Sequence, residues 1–108
     1  MAFNFYNTRV IFAQLVCPSE NETKVVSWGS NDWQEISEKI LQFKVSGLSF
    51  KGNVRVEYDS YSDMYHVHFG YYKKSNWVNV HTVERLFFDQ LVDVIDNYVA
   101  RRQDKVSA

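Results

Sequence analysis

Two segments near the middle of the chain alternate apolar and polar residues, and this alternation constrains the fold most. In LSFKGNVRVEY, residues 48–58, most of the even-numbered residues are large and apolar, and the odd-numbered residues are polar or charged. In MYHVHFGYY, residues 64–72, Tyr65, Val67 and Phe69 share one side, and His66 and His68 share the other. A period of two is that of a half-buried strand. With the polar DSYSD between them, the two segments predict an antiparallel hairpin with one buried face.

The segments before this hairpin predict two more strands. TRVIFAQLV, residues 8–16, carries apolar residues on both sides of a strand pattern, which is typical of a central or covered strand. KVVSW, residues 24–28, predicts a second strand. CPSENET, residues 17–23, is rich in turn-forming residues and includes the acceptor-like triplet Asn21-Glu22-Thr23, so we expect a turn there.

Two helices are predicted as well. The first runs from Asp32 to Val45, because it begins with a pattern like a capping box and then repeats apolar residues at helical spacing. Its apolar positions are Trp33, Ile36, Ile40 and Phe43.

The segment after the central hairpin predicts a strand and then a helix. WVNV, residues 77–80, predicts a short fifth strand. The second helix runs from Thr82 to Arg102, with basic residues at its C-terminal end. Its apolar positions are Val83, Phe87, Leu91, Val94, Ile95 and Tyr98, widened by Phe88 and Val99.

The predicted order of elements is ββαββ(β)α. This order predicts an α+β fold, a two-layer sandwich in which an antiparallel sheet of four or five strands carries two helices packed on one face. No linker or low-complexity run divides the chain, so we expect a single domain over residues 1–108.

Composition and charge exclude several classes of function. A net charge of −1 and a pI near 6.3 are unlike those of a dedicated duplex-DNA or anionic-membrane binder.

Cys17 is the only cysteine, which excludes an intrachain disulfide and a cysteine-based zinc site. We expect it to be a small apolar residue at a strand end. The N-terminus resembles neither a signal peptide nor a membrane helix, so a cytoplasmic location is expected. No catalytic or phosphate-binding motif is present, and we predict neither enzymatic activity nor a cofactor.

His66 and His68 are the candidate metal ligands. Two imidazoles one residue apart on a strand project from the same face, as several metal sites require, and His81 and Glu84 could complete the set. The strand pattern favours another interpretation, in which both histidines lie on the solvent side of the hairpin and pair with Arg55 or Glu57. Glu84 then belongs to the first turn of the last helix, where a carboxylate is favourable. No metal site is therefore predicted, and the histidine pair stays open as the alternative.

The same outer side of the hairpin is a candidate for binding single-stranded nucleic acid. Aromatic and basic side chains on a sheet can stack bases and contact phosphates. The residues in question are Lys51, Arg55, His66, His68, Tyr72 and Lys74. Because Glu57 dilutes the positive charge and the chain as a whole is near neutral, nucleic acid is the second hypothesis and is expected to be a weak partner.

The leading hypothesis is a small, non-enzymatic protein-binding module of the adaptor or inhibitor type, with a mobile element as its suggested source and a homodimer as a further alternative. The second hairpin contains more large amphipathic side chains than one small core can bury, and Tyr61, Tyr72 and Trp77 lie at its turns or on its outer side. An acidic stripe on the last helix could add a docking edge for a basic partner. The stripe comprises Asp89, Asp93 and Asp96.

Overall fold

The computed structural model describes residues 3–17 and 19–100, and in this part of the chain two helices precede five strands and a third helix follows them. The elements are α1 (Tyr6–Val16), α2 (Ser19–Ser27), β1 (Asn31–Ser37), β2 (Ile40–Ser46), β3 (Lys51–Asp59), β4 (Met64–Lys73), β5 (Asn76–Leu86) and α3 (Leu91–Val99), with a 3₁₀ turn at Phe88–Gln90 directly before α3.

The five strands form one antiparallel sheet in the order β1-β2-β3-β4-β5, so each strand pairs with its neighbour in sequence. The core contains alternate residues of the inner strands together with one stripe from each helix, which places the helices on one face of the sheet. The α+β class is therefore confirmed. The predicted order of elements is wrong, and three helices rather than two are present among the described residues.

The central hairpin has the structure that its alternation predicts. Val56 of β3 is paired with Val67 of β4, and both side chains are fully buried in the core. The tetrad at Ser60–Asp63 turns the chain between the two strands, with Asp63 at φ 57°. Lys74 and Ser75 make the next turn with positive φ, and β5 then extends well beyond the predicted WVNV segment.

The predicted first strand is helix α1. Its three fully buried residues are Thr8, Ile11 and Leu15, and their spacing of three and four is that of one helix face. Apolar residues on both sides of a strand pattern are equally compatible with a helix that packs on a sheet. The five-stranded sheet forms without this segment, which therefore has no strand partner. Cys17 therefore ends a helix instead of a strand, and it is exposed.

The predicted turn and second strand are helix α2, which contains the Asn21-Glu22-Thr23 triplet. Val25 and Trp28 are buried at a spacing of three residues, and Trp28 directly follows the last helical residue. Ser, Asn and Glu are common at helix starts as well as in turns, so their local preference did not distinguish the two structures.

The predicted helix from Asp32 to Val45 is the hairpin of β1 and β2. Leu41, Phe43 and Val45 alternate along β2 and are buried in the core, whereas the helical pattern had included Phe43 alone of these three. A two-residue turn at Glu38 and Lys39 joins the strands. At the predicted helix cap, Asp32 instead adopts φ 54° beside an irregularity in the register of β1.

The last predicted helix is correct only in its second half. Residues 82–86 continue β5, so Glu84 lies on a strand and not in a helical first turn. Phe87 and Phe88, which were assigned to the apolar helix face, are more than half exposed. The buried stripe of α3 is formed by Leu91, Val92, Ile95 and Val99. The last predicted helical residues, Arg101 and Arg102, and Lys105 after them lie outside the described residues.

Candidate protein-binding face

The helices pack on one face of the sheet, and the opposite face, here called the outer face, carries polar and aromatic side chains. Strand register assigns residues to it, because Gln42, Arg55 and His68 are cross-strand partners on neighbouring strands. It includes Gln42, Asn53, Arg55, Glu57, Asp59, His66, His68, Tyr72, Trp77 and Thr82. Gln42 and Asn53 are nevertheless buried, and the side chains of Arg55 and Tyr72 lie against Gln42. The outer face is thus an ordered layer of side chains.

Arg55 is the centre of this layer. Its Nε donates a hydrogen bond to Gln42 Oε1 at 2.7 Å, and its Nη2 donates to the hydroxyl of Tyr72 at 2.9 Å. The Tyr72 hydroxyl in turn donates to Gln42 Oε1 at 3.0 Å. The guanidinium carbon lies 4.0 Å from the centroid of the Trp77 ring, a cation–π contact. We call Gln42, Arg55, Tyr72 and Trp77 the Arg55 cluster.

Gly70 makes room for the Trp77 ring. A Cβ atom at this position would lie 2.7 Å from Trp77 Cζ2 and 2.3 Å from the carbonyl oxygen of Val78. The indole therefore lies close against the β4 backbone, and the Tyr72 ring meets it edge-on with centroids 5.6 Å apart. Trp77 is held on three sides, by Gly70, Tyr72 and Arg55, and these contacts fix its orientation without a partner.

The two histidines of the outer face each pair with a carboxylate. His68 Nε2 lies 3.0 Å from Glu57 Oε1, and its Nδ1 lies 3.0 Å from Thr82 Oγ1. His66 Nε2 lies 3.3 Å from Asp59 Oδ2, and this hydrogen bond is the largest of the effects that lower the pKa of Asp59. The predicted solvent-side position of the histidines is correct, and so is the pairing of His68 with Glu57.

The four residues considered for a metal site are not brought together. His81 stacks on Tyr98 of α3 with ring centroids 4.8 Å apart, so it lies on the helix side of the sheet, opposite His66 and His68. Within residues 3–17 and 19–100, no group of three or more histidine, cysteine, aspartate and glutamate side chains is arranged to hold a metal ion. The ring nitrogens of His66 and His68 are instead occupied by carboxylate, hydroxyl and backbone N–H partners.

The residues predicted to bind nucleic acid lie on or beside the outer face, but they do not form a basic surface. Lys51 begins β3 at the same end of the sheet as the turn that contains Lys74. The guanidinium of Arg55 already donates to Gln42 and Tyr72. The carboxylates of Glu57 and Asp59 occupy the other end of the same face.

The predicted protein-interface residues do not form one surface. Tyr72 and Trp77 belong to the Arg55 cluster, whereas Tyr61 is fully exposed on the turn at the far end of the sheet. The acidic stripe lies with the helices and is interrupted. Asp89 is in the 3₁₀ turn, Asp93 is 3.3 Å from Lys24 Nζ, and Asp96 accepts a hydrogen bond from the Trp28 indole at 2.8 Å.

Sequence reasoning missed a groove between α1 and α3. The groove has a volume of about 390 Å³ and is mainly apolar, and the half-exposed Phe88 stands beside it. Its lining residues are Val10, Ala13, Gln14, Cys17, Asn21, Phe88, Asp89 and Val92. The spacing of Thr8, Ile11 and Leu15 was the signal that would have revealed it, because recognising α1 as a helix leaves Val10 and Ala13 off the core stripe.

Comparison of the chain with protein-family models, with curated proteins and with solved structures found no match. None of the helices in the described ranges is both long and apolar enough to cross a membrane.

Proposed function

We propose that this chain is a small, non-enzymatic protein-binding module that binds its partner through the outer face of its sheet. The observation that carries this proposal is the Arg55 cluster, in which a guanidinium is fixed by two hydrogen-bond acceptors and lies 4.0 Å from an indole ring, on the face of the sheet that none of the described helices covers. Trp, Tyr and Arg are the residues most enriched among the side chains that dominate binding energy at protein interfaces.

Pre-organisation strengthens this argument. Arg and Trp side chains lose rotational freedom when a partner immobilises them, at a cost of about 0.5–1.5 kcal/mol for each rotamer-rich side chain. Within the Arg55 cluster, Gln42, Tyr72 and Gly70 already restrict Arg55 and Trp77. A partner that binds here therefore meets a surface that is ordered before binding.

The polar partners of the cluster match those of an interface rather than a nucleic-acid surface. Glu57 and Asp59 lie on the same face and would repel phosphate, whereas mixed charges beside aromatic side chains are ordinary in protein–protein contacts. This arrangement favours a protein as the partner. An adaptor or inhibitor role, the cytoplasmic location and a source among mobile elements remain part of the same hypothesis.

Affinity capture with matched variants tests the proposal. The full chain is used as bait in wild-type form and as Arg55→Ala and Trp77→Ala. Tyr6→Ala and Arg9→Ala are the controls, since Arg9 lies 5.8 Å above the exposed Tyr6 ring and forms a similar pair on α1. We expect both outer-face variants to weaken capture of a specific partner roughly tenfold or more. We expect the α1 variants to capture as much as wild type.

Circular dichroism and thermal unfolding of each variant separate lost binding from lost folding. The proposal is wrong if folded Arg55→Ala and Trp77→Ala proteins capture the partner at wild-type levels, or if the α1 variants alone lose it.

A further inference from the structure

The outer face carries opposite charges at its two ends. At the end where β3 begins and β4 finishes, here called the basic end, the charged residues on or beside the outer face are Lys44, Lys51 and Lys74, opposed by Asp32. At the end where β3 finishes and β4 begins, here called the acidic end, they are Glu57, Asp59 and Asp63, opposed by Lys39 and Arg85. The face is therefore electrically polar along the strand direction, although the whole chain is nearly neutral.

Apolar side chains are divided between the same two ends. Tyr72 and Trp77 lie toward the basic end, and the partly exposed Ile40 and Met64 lie at the acidic end. Lys44 is only loosely held, since its ammonium is 3.8 Å from the carboxylate of Asp32 and both side chains are about half exposed. The basic end thus offers aromatic rings and ammonium groups, while the acidic end offers carboxylates and aliphatic side chains.

A face of this kind is complementary to itself after a half-turn. Consider two copies that face each other across a two-fold axis, which runs between the sheets and perpendicular to the strands. The strands of one copy then run antiparallel to those of the other. The basic end of each copy then lies over the acidic end of the other, and each favourable contact occurs twice. Val54 and Phe69 are paired near the middle of β3 and β4, and an axis that crosses the strands over this pair places Lys51 of each copy over Glu57 of the other. A two-fold axis along the strands would instead set lysine against lysine.

We propose that the partner of the outer face is a second copy of this chain, in a two-fold dimer whose facing sheets run antiparallel. The proposal rests on the proposed function, because it uses the Arg55 cluster as part of the contact, and it adds the identity of the partner. Burial of Tyr72 and Trp77 against the acidic end of the facing β4 and β5, where Met64 lies, supplies the apolar contact, and the charged ends set the orientation.

Sedimentation equilibrium of the full chain is the first test. We expect dimers at about 50 mM NaCl and a dissociation constant that rises at about 500 mM NaCl, where charges at the rim of an interface are screened. A chain that is monomeric at low salt up to about 0.5 mM protein, a concentration at which even weak specific dimers form, would overturn the proposal.

Charge reversal tests the orientation. Lys51→Glu changes the basic end and Glu57→Lys changes the acidic end of the same strand. Each variant alone places like charges together at both contacts, and we expect self-association to weaken on the order of tenfold. In an equal mixture, the acid introduced at position 51 of one variant faces the base introduced at position 57 of the other, so heterodimers should form with near wild-type affinity. Lys24→Glu, on the helix layer, is the control and should leave dimerisation unchanged.

The outcomes separate the two proposals. A mixture that associates as weakly as the single variants rules out the antiparallel dimer. If the chain is monomeric while Trp77→Ala still abolishes capture of another protein, the second copy is wrong and the proposed function stands. If dimers form but neither charge reversal nor Trp77→Ala affects them, the dimer contact lies elsewhere on the molecule and the second copy is wrong, and the capture experiment alone then decides the proposed function.

Discussion

The carboxylate of Glu35 determines how helix α1 begins. Glu35 lies on β1 and accepts hydrogen bonds from the backbone N–H groups of Asn4 and Phe5, at 3.0–3.1 Å, and from the hydroxyl of Thr8. Phe5, the residue before the first helical turn, provides no side-chain cap of its own. A residue far along the chain thus satisfies N–H groups that a local Ser or Asp usually satisfies. The sequence places Glu35 within a capping-box pattern, but the pattern is local and could not indicate that the carboxylate caps a different segment.

The capping role of Glu35 predicts a pH-dependent loss of stability on Glu35→Gln. The hydrogen bond from Thr8 is the main cause that lowers the pKa of Glu35, with the Asn4 and Phe5 N–H groups acting in the same direction. A carboxyl whose pKa is lower in the folded protein stabilises the fold above its unfolded pKa of about 4.3, and this contribution is lost as the pH falls through the folded pKa. We therefore expect wild type to unfold at a higher temperature than Glu35→Gln at pH 7.

The difference in unfolding temperature between wild type and Glu35→Gln should shrink steadily below about pH 4. Glu38→Gln, in the exposed turn of the same hairpin, is the matched control and should unfold like wild type throughout. Thermal unfolding followed by circular dichroism measures all three proteins. A difference in unfolding temperature between wild type and Glu35→Gln that is constant from pH 7 to pH 3 would contradict the account. The protonated carboxyl of Glu35 would then cap the helix as well as the carboxylate does.

At the scale of elements, the predicted and the observed secondary structure agree where the apolar residues fit one period only. They disagree where the same residues fit both a helix and a strand. The residues of β3 and β4 alternate cleanly over a whole hairpin, so their strands, their buried face and the outer position of His66 and His68 could be predicted. In residues 32–45, Trp33, Ile36, Ile40 and Phe43 fit a helix, while Leu41, Phe43 and Val45 fit a strand. Sheet pairing with β3 decides in favour of the strand, and pairing is a long-range contact that a local pattern does not contain.

The same reasoning explains what could be predicted of the candidate site. Tyr72 and Trp77 were predicted as interface residues from their position around a hairpin turn, and they lie together on the outer face. Gln42 could not be predicted, because the helix assigned to its segment removed it from the sheet. Without Gln42, the sequence gives no reason for the Arg55 side chain to be held in one orientation over Trp77.

Trp28 connects α2 to α3, and a pair of aspartate variants tests the connection. Its side chain is fully buried, stacks on Phe43 and donates its indole N–H to Asp96 of α3 at 2.8 Å. Asp96→Ala leaves that buried N–H without an acceptor and should lower the free energy of unfolding by about 1–3 kcal/mol. Asp93→Ala removes only the exposed pair with Lys24 and should cost less than about 1 kcal/mol.

Urea unfolding followed by tryptophan fluorescence measures both losses. Equal losses for the two variants, or a larger loss for Asp93→Ala, would show that the indole hydrogen bond does not join the two helices.

For the molecule as a whole, the distribution of charge on the outer face predicts how it discriminates between partners. Fluorescence anisotropy with single-stranded RNA and DNA oligonucleotides should show weak binding or none near physiological salt, because Glu57 and Asp59 lie on the same face as Arg55 and the net charge is −1. Micromolar or tighter binding that falls steeply with salt and disappears in Arg55→Glu would favour a nucleic-acid partner instead.

The central claim is that the outer face, and not the helix layer, contacts the partner. Site-specific photo-crosslinking tests it most directly, with a benzophenone amino acid placed at the exposed Gln34, which pairs with Gln42 across β1 and β2, or at the exposed Tyr6 on α1. The account predicts that illumination of cells or of the concentrated protein yields one discrete adduct from position 34, to a second copy or to another protein, and none from position 6. A discrete adduct from position 6, with none from position 34, would contradict it.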